Sequence, residues 1–147
     1  MEGINLVSMN PVDQFIEIAP DYPLKVAVVP VDRGTKRTIA SIEYELLAAN
    51  PYVYTLAELQ FMVSARRNEI SEEDLIAQRQ ALWDAFFSKP HACMRASALT
   101  KKFGWGVHYD KQGKIALYAV ESEEYQRFVK DGGIKKYFAM RSKREPV

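Results

Sequence analysis

Apolar residues recur along this chain with two different periods. Between Trp105 and Val120 the period is two: Trp105, Val107 and Tyr109 alternate with Gly106, His108 and Asp110, and a polar turn leads into a return strand over 114–120. Asp110, Lys111, Gln112 and Gly113 suit a type I turn closed by a glycine in the left-handed region, so Asp110 and Lys114 are the last paired residues of a hairpin. That register sets Trp105, Val107 and Tyr109 opposite Ala119, Leu117 and Ile115, an apolar face fit for a core. Gly106, His108 and Asp110 then oppose Tyr118, Ala116 and Lys114 on a second, more polar face.

Elsewhere the helical period dominates. Ile39, Ile42, Leu46 and Leu47 predict a helix near 38–49, with Glu43 and Glu45 read as lying off its stripe and Asn50-Pro51 as its stop. Thr55 and Glu58 form a capping box opening a helix near 56–68. Ser71 caps a third helix near 72–88, whose Trp83, Phe86 and Phe87 read, with Phe61, as core. Ser122 caps a fourth near 122–130, with Tyr125, Phe128 and Val129 as its buried side. Two further strands are predicted near 14–19 and 134–140. Residues 92–96 read as a short strand and 98–103 as a short helix stopped by Gly104. Lys25 to Val31, bracketed by Pro23 and Pro30, suits an edge strand or an ordered loop. Strands and helices mixed without regular alternation predict an α+β fold, with the helices on one side of a small, mainly antiparallel sheet. We expect a single domain over 1–147, with mobile ends at 1–10 and 141–147.

Composition narrows the function classes. With 48% hydrophobic and 27% charged residues, the chain has the make-up of an ordinary globular domain. The net charge of +1 hides an asymmetry: Lys and Arg number 8 against 13 Asp and Glu over 1–90, and 12 against 6 over 91–147. No basic run or reader motif accompanies the basic third, which argues against nucleic-acid binding. One cysteine and two histidines are too few for a closed zinc site, so no metal is expected, and no motif calls for a cofactor. Met1 to Asn10 lacks the basic and apolar runs of a signal peptide, and no stretch is long enough to span a membrane; a cytoplasmic location is the expectation.

The segments FIEIAPD (15–21), YELLAANPY (44–52), FFSK (86–89), RASALTKKFGWGVHYD (95–110), GKIALYAVESEEY (113–125) and AMRSKR (139–144) together carry a resemblance. The chain resembles a family of small bacterial single-domain proteins of unknown function, over nearly its whole length and most distinctively from Cys93 to Tyr118. The resemblance implies single-domain architecture and no particular chemistry.

Candidate chemistry concentrates between Ser88 and Glu121, which holds Cys93, His91 and His108. Cys93 reads first as a small buried hydrophobe and, in the sharper reading, as a nucleophile activated by His108. His108, beside Asp110 and diagonal to Tyr118, suits an acid, a base or a partly solvated sheet histidine. Arg95 and Ser97 at the start of the short helix suggest an anion site. Gly106 either lies under the Tyr118 ring or leaves room for a ligand. The favoured expectation is a non-enzymatic binding or interaction domain. Its polar, anion-accepting pocket would lie between the hairpin's second face and the short helix, using Arg95, Ser97, His108 and Tyr118. The alternative is a small enzyme with His108 as acid or base, Cys93 as nucleophile and Arg95 as anionic anchor. A small anion, a partner protein or a second copy of the chain are the partners considered.

Overall fold

The computed structural model describes residues 10–143, and its four strands stand in the order β3-β2-β1-β4. Strand β1 (Gln14–Glu17) runs antiparallel to β2 (Trp105–Tyr109) and parallel to β4 (Lys135–Phe138), while β2 pairs antiparallel with β3 (Ile115–Ala119). The hairpin has the predicted register, from Trp105 opposite Ala119 to Tyr109 opposite Ile115. Its turn closes as the residue types require: the Asp110 N–H donates to the Lys114 carbonyl at 2.9 Å, the Asp110 carboxylate accepts from the Gln112 and Lys114 N–H groups, and Gly113 has φ +79°.

Among the described residues six α-helices complete the α+β fold: α1 (Ile39–Ala49), α2 (Leu56–Arg67), α3 (Glu72–Ala77), α4 (Arg79–Phe86), α5 (Ala98–Lys102) and α6 (Glu123–Lys130). Side-chain caps start α1, α2, α3, α5 and α6, from Thr38, Thr55, Ser71, Ser97 and Ser122, and Thr55 with Glu58 forms the full capping box. One face of the sheet supplies Ile16, Val107, Tyr109 and Ile115 to a core shared with Ile42, Leu46 and Leu47 of α1, Leu59 and Val63 of α2, and Leu99 of α5. Burying each such side chain contributes about 1.5–3 kcal/mol, so this layer is the main source of stability.

The expectation of helices on one side only is corrected. Helix α6 covers the other face, where Phe128 stacks on Phe15 at 4.8 Å and on His108 at 4.3 Å, Tyr125 meets Phe15 edge-on at 5.1 Å, and the Tyr125 hydroxyl accepts the Ile18 N–H. Phe15 is fully buried on this face and requires such a cover. Gly106 lies beneath that layer: a Cβ there would fall 2.6 Å from the rings of both Phe15 and Tyr125. Phe15 of β1 and Tyr125 of α6 thus fill the space over Gly106 and leave no room there for a ligand.

Two local expectations also change, and of the two alternatives for 25–31 the ordered loop is the one that forms. The helix predicted over 72–88 is two, α3 and α4, because Gln78 leaves helical geometry at φ −118°, its N–H closing the last turn of α3 on the Asp74 carbonyl. The break lets Trp83 and Phe86 reach Phe61 at 5.1 and 6.3 Å; neither helix buries a residue, and Ile76 is 81% exposed. Residues 92–96 form a 3₁₀ turn at Met94–Ala96, not a strand, since the Ala96 and Ser97 N–H groups bond locally to the Cys93 and Met94 carbonyls. Residues 25–31 form a loop, tied down by the Val28 N–H to Phe103 and by the Trp105 indole N–H to the Val28 carbonyl.

The expected mobile ends fall largely outside the described residues. Asn10 is buried and accepts from the Ala57 N–H, and the Ser142 and Lys143 N–H groups donate to Asp21. Replacing Gly106 with Ala will destabilise the chain by about 1–3 kcal/mol in urea denaturation, as over-packing does. An unchanged midpoint would contradict the close packing of α6 on β2.

Candidate functional site

A cavity of about 510 Å³ opens between α1, α2 and the segment 86–97. Its back wall is α1, which turns Glu43 inward beside the core residues Ile42, Leu46 and Leu47. Helix α2 contributes Gln60, Val63, Ser64 and Arg67, and the outer wall is Phe86, His91, Ala92 and Cys93, ending at Met94, Ala96 and Ser97. That wall is held to α2 by the Phe61–Trp83–Phe86 ring cluster and by Gln60, whose Nε2 donates to the Ala92 carbonyl at 2.5 Å.

Glu43 dominates the electrostatics. It is only 7% exposed, and one carboxyl oxygen accepts the Ser97 hydroxyl at 2.8 Å. The other oxygen has no hydrogen-bond partner among the described residues, and no buried side-chain oxygen there is both sealed and unpartnered, so this oxygen faces the cavity. Burial pushes the carboxyl up from 4.5 to about 7, and the Ser97 hydrogen bond only partly opposes it. Near neutral pH the group is therefore divided between acid and carboxylate, able to donate or accept a hydrogen bond or to pair with a cation. The charged groups around it belong to other neighbours: Arg37 pairs with Asp32 and Glu45, and Arg66 with Glu45. Arg67, at the cavity rim, forms no ion pair among the described residues.

His91 and Cys93 border the same cavity. The His91 ring stacks on Phe86 at 3.8 Å and its Nε2–H donates to the Phe86 carbonyl. Cys93 is exposed, which corrects the expectation of a buried cysteine: the 3₁₀ turn buries its neighbour Met94 instead.

The residues named from sequence divide between two places. Cys93 and Ser97 line the cavity. His108 and Tyr118 project to the opposite face of the sheet, where the Tyr52 hydroxyl bonds His108 Nδ1 at 2.8 Å and the Tyr118 hydroxyl at 2.7 Å beside Phe128. Burial lowers the His108 pKa, opposed by Asp110 and Asp13, and burial raises that of Tyr52. Arg95 joins neither group: its Nε donates to the Phe138 carbonyl and its guanidinium lies 5.8 Å from the Tyr137 ring. A pocket between the hairpin's second face and the short helix does not form, because α5 packs on the first face through Leu99. A Cys93–His108–Arg95 constellation does not form either, since the sheet separates His108 from Cys93. The expected anion site at the start of α5 is occupied internally, with the Ser97 hydroxyl accepting from the Leu99 N–H and donating to Glu43.

With this geometry in place, comparison with known proteins adds one result: the model of a family of unknown function, DUF6157, matches residues 6–145. The chain belongs to the DUF6157 family. No curated protein and no solved structure matches it. Among the described residues of this DUF6157 chain, no three His, Cys, Asp or Glu side chains group as a metal site would, and no helix is long and apolar enough to cross a membrane.

Sequence reasoning missed Glu43 in this DUF6157 chain, although a signal was present. Glu43 lies four residues after Ile39 and four before Leu47, a slot inside the apolar stripe and not beside it. Phe86, read as core, walls the cavity.

Glu43 also sets a pH dependence of stability. The folded chain holds this proton more tightly than the unfolded chain, so the group's contribution is complete below 4.5 and is lost as pH rises through about 7. Glu43→Gln cannot ionise and will escape that loss. By about pH 8 it will be the more stable protein, by up to about 3 kcal/mol in urea denaturation, with little difference in mild acid. Parallel pH profiles for the two proteins would contradict the buried, partly protonated carboxyl.

Proposed function

We propose that this chain is a binding domain for a small molecule, received in the cavity between α1, α2 and residues 86–97. The observation that carries the reading is Glu43: a nearly buried carboxyl with one oxygen fixed by Ser97 and the other turned to an open cavity. An acid buried without a full set of partners costs stability, and a ligand that completes the set recovers it. The volume of about 510 Å³ falls within the roughly 300–1,000 Å³ of ordinary small-molecule sites. Its walls, Val63, Phe86 and Met94 among them, suit an apolar body, and the polar groups are few, as in sites that orient a ligand through one or two contacts.

The reading stops at binding. Among the described residues, Cys93 and His91 make no hydrogen bond to each other or to Glu43, so no activated nucleophile supports a reaction. The lone exposed thiol suits a reducing compartment such as the cytoplasm.

A ligand-observed NMR fragment screen tests the proposal, run on the wild type and on Ser64→Trp, which fills the cavity from α2 and leaves Glu43 itself in the sequence. Fragments that bind the wild type will lose binding in Ser64→Trp and will slow modification of Cys93 by a thiol reagent. Hits that bind both proteins equally and leave Cys93 unprotected would overturn it.

A further inference from the structure

We propose that the ligand of this cavity is an amine: an ammonium group on an apolar body, its charged end paired with Glu43. The inference rests on the cavity being a binding site and names the class of molecule that enters it. Three observations converge on a cation. Glu43 is 7% exposed and its free oxygen faces the cavity with no basic partner among the described residues. Helix α1 carries no basic side chain, and Arg37, just ahead of it, and Arg66, on α2, are committed to Asp32 and Glu45. The one hydrogen bond Glu43 does receive, from Ser97, anchors the carboxyl at the back of the cavity and leaves its outer oxygen as an acceptor.

Electrostatics then ranks the ligand classes. A carboxylate or phosphate placed against Glu43 meets a like charge at low dielectric and forces it to stay protonated. A neutral alcohol exchanges one hydrogen bond for another and leaves the buried acid without a counter-charge. An ammonium group offers three donors and a full positive charge, so it completes the hydrogen bonding and makes the ionised carboxyl favourable in one step. Val63, Phe86 and Met94 meanwhile receive the apolar body. The groups facing Glu43 from the other elements are Arg67 on α2, His91, Cys93 and Ser97 on the outer segment, and Tyr109 on β2, whose hydroxyl burial holds it neutral. Arg67 at the rim is the one permanent cation of the set. It favours an approach in which the amine passes inward and any acidic group of the ligand stays at the mouth.

Phenethylamine, phenethyl alcohol and hydrocinnamate share one apolar body and differ in the charge of the head group, so their dissociation constants isolate it. In wild type at about pH 8 the amine will bind at least roughly tenfold more tightly than the alcohol, as a charge-assisted pair should, and hydrocinnamate most weakly. Glu43→Gln will reduce the amine to the level of the alcohol. In wild type the amine's advantage will shrink as the pH is lowered from about 8 to 5, because protonating Glu43 removes the counter-charge. This pH series needs no variant and stands if Glu43→Gln folds poorly. Equal binding of amine and alcohol, or tighter binding of hydrocinnamate, would overturn the amine assignment; loss of that binding in Ser64→Trp would show the cavity itself to be a site. Failure of all three probes to bind wild type would overturn the assignment, and an empty fragment screen beside it would overturn the binding reading as well.

Discussion

Strand β2 lies inside the sheet between β1 and β3, and both of its faces are covered. Val107 and Tyr109 enter the core shared with α1, α2 and α5, while Gly106 and His108 meet the aromatic layer of α6. Because successive side chains point to opposite faces, a slip of one residue would drive His108 into the core and Val107 under Phe128. The hairpin turn at Asp110 to Gly113 holds that register in place. The site follows from it, since α1 holds Glu43 beside the cavity only while the same apolar stripe is seated in the core through Ile42, Leu46 and Leu47.

The two layers differ in character. The first-face core is mainly aliphatic around the buried Tyr109, and it supports the cavity from behind. The second face is aromatic and polar, with Tyr52 joining His108 and Tyr118 in a hydrogen-bonded chain under α6. Tyr52 holds a left-handed backbone at φ +60° to reach both, while its N–H donates to the Ile115 carbonyl. That network satisfies the hydrogen bonding of half-buried polar groups. The α4 side of the cavity's outer wall is lightly embedded: α4 buries no residue, and its attachment runs through the rings around Phe61. A wall held this lightly can yield to a ligand at small cost, unlike the sheet behind it.

Much of the architecture was legible in the residues, and the reasons are local. Strict alternation and a glycine-closed turn specify the hairpin; Thr55 with Glu58, and Ser71, Ser97 and Ser122, specify where helices begin. What escaped depends on contacts distant in sequence. Nothing near Tyr125 and Phe128 reveals that they cover Phe15 more than a hundred residues away, so the second layer was not foreseen. The apolar spacing from Leu75 to Phe86 continues through Gln78, which hides the break between α3 and α4. Of the candidate site, Cys93 and Ser97 were found and Glu43 was not. A carboxyl at a core slot of an amphipathic helix was read as the helix's polar side, when its position between Ile39 and Leu47 placed it inside.

The cavity's chemistry turns on the state of one carboxyl group. An isotope-edited NMR titration of the Glu43 side chain in the folded protein measures that state directly. A midpoint of about 7 is predicted, moving downward when an amine occupies the cavity. A midpoint near the ordinary 4.5 would contradict it, since a solvated carboxylate would have no need of a ligand to complete it.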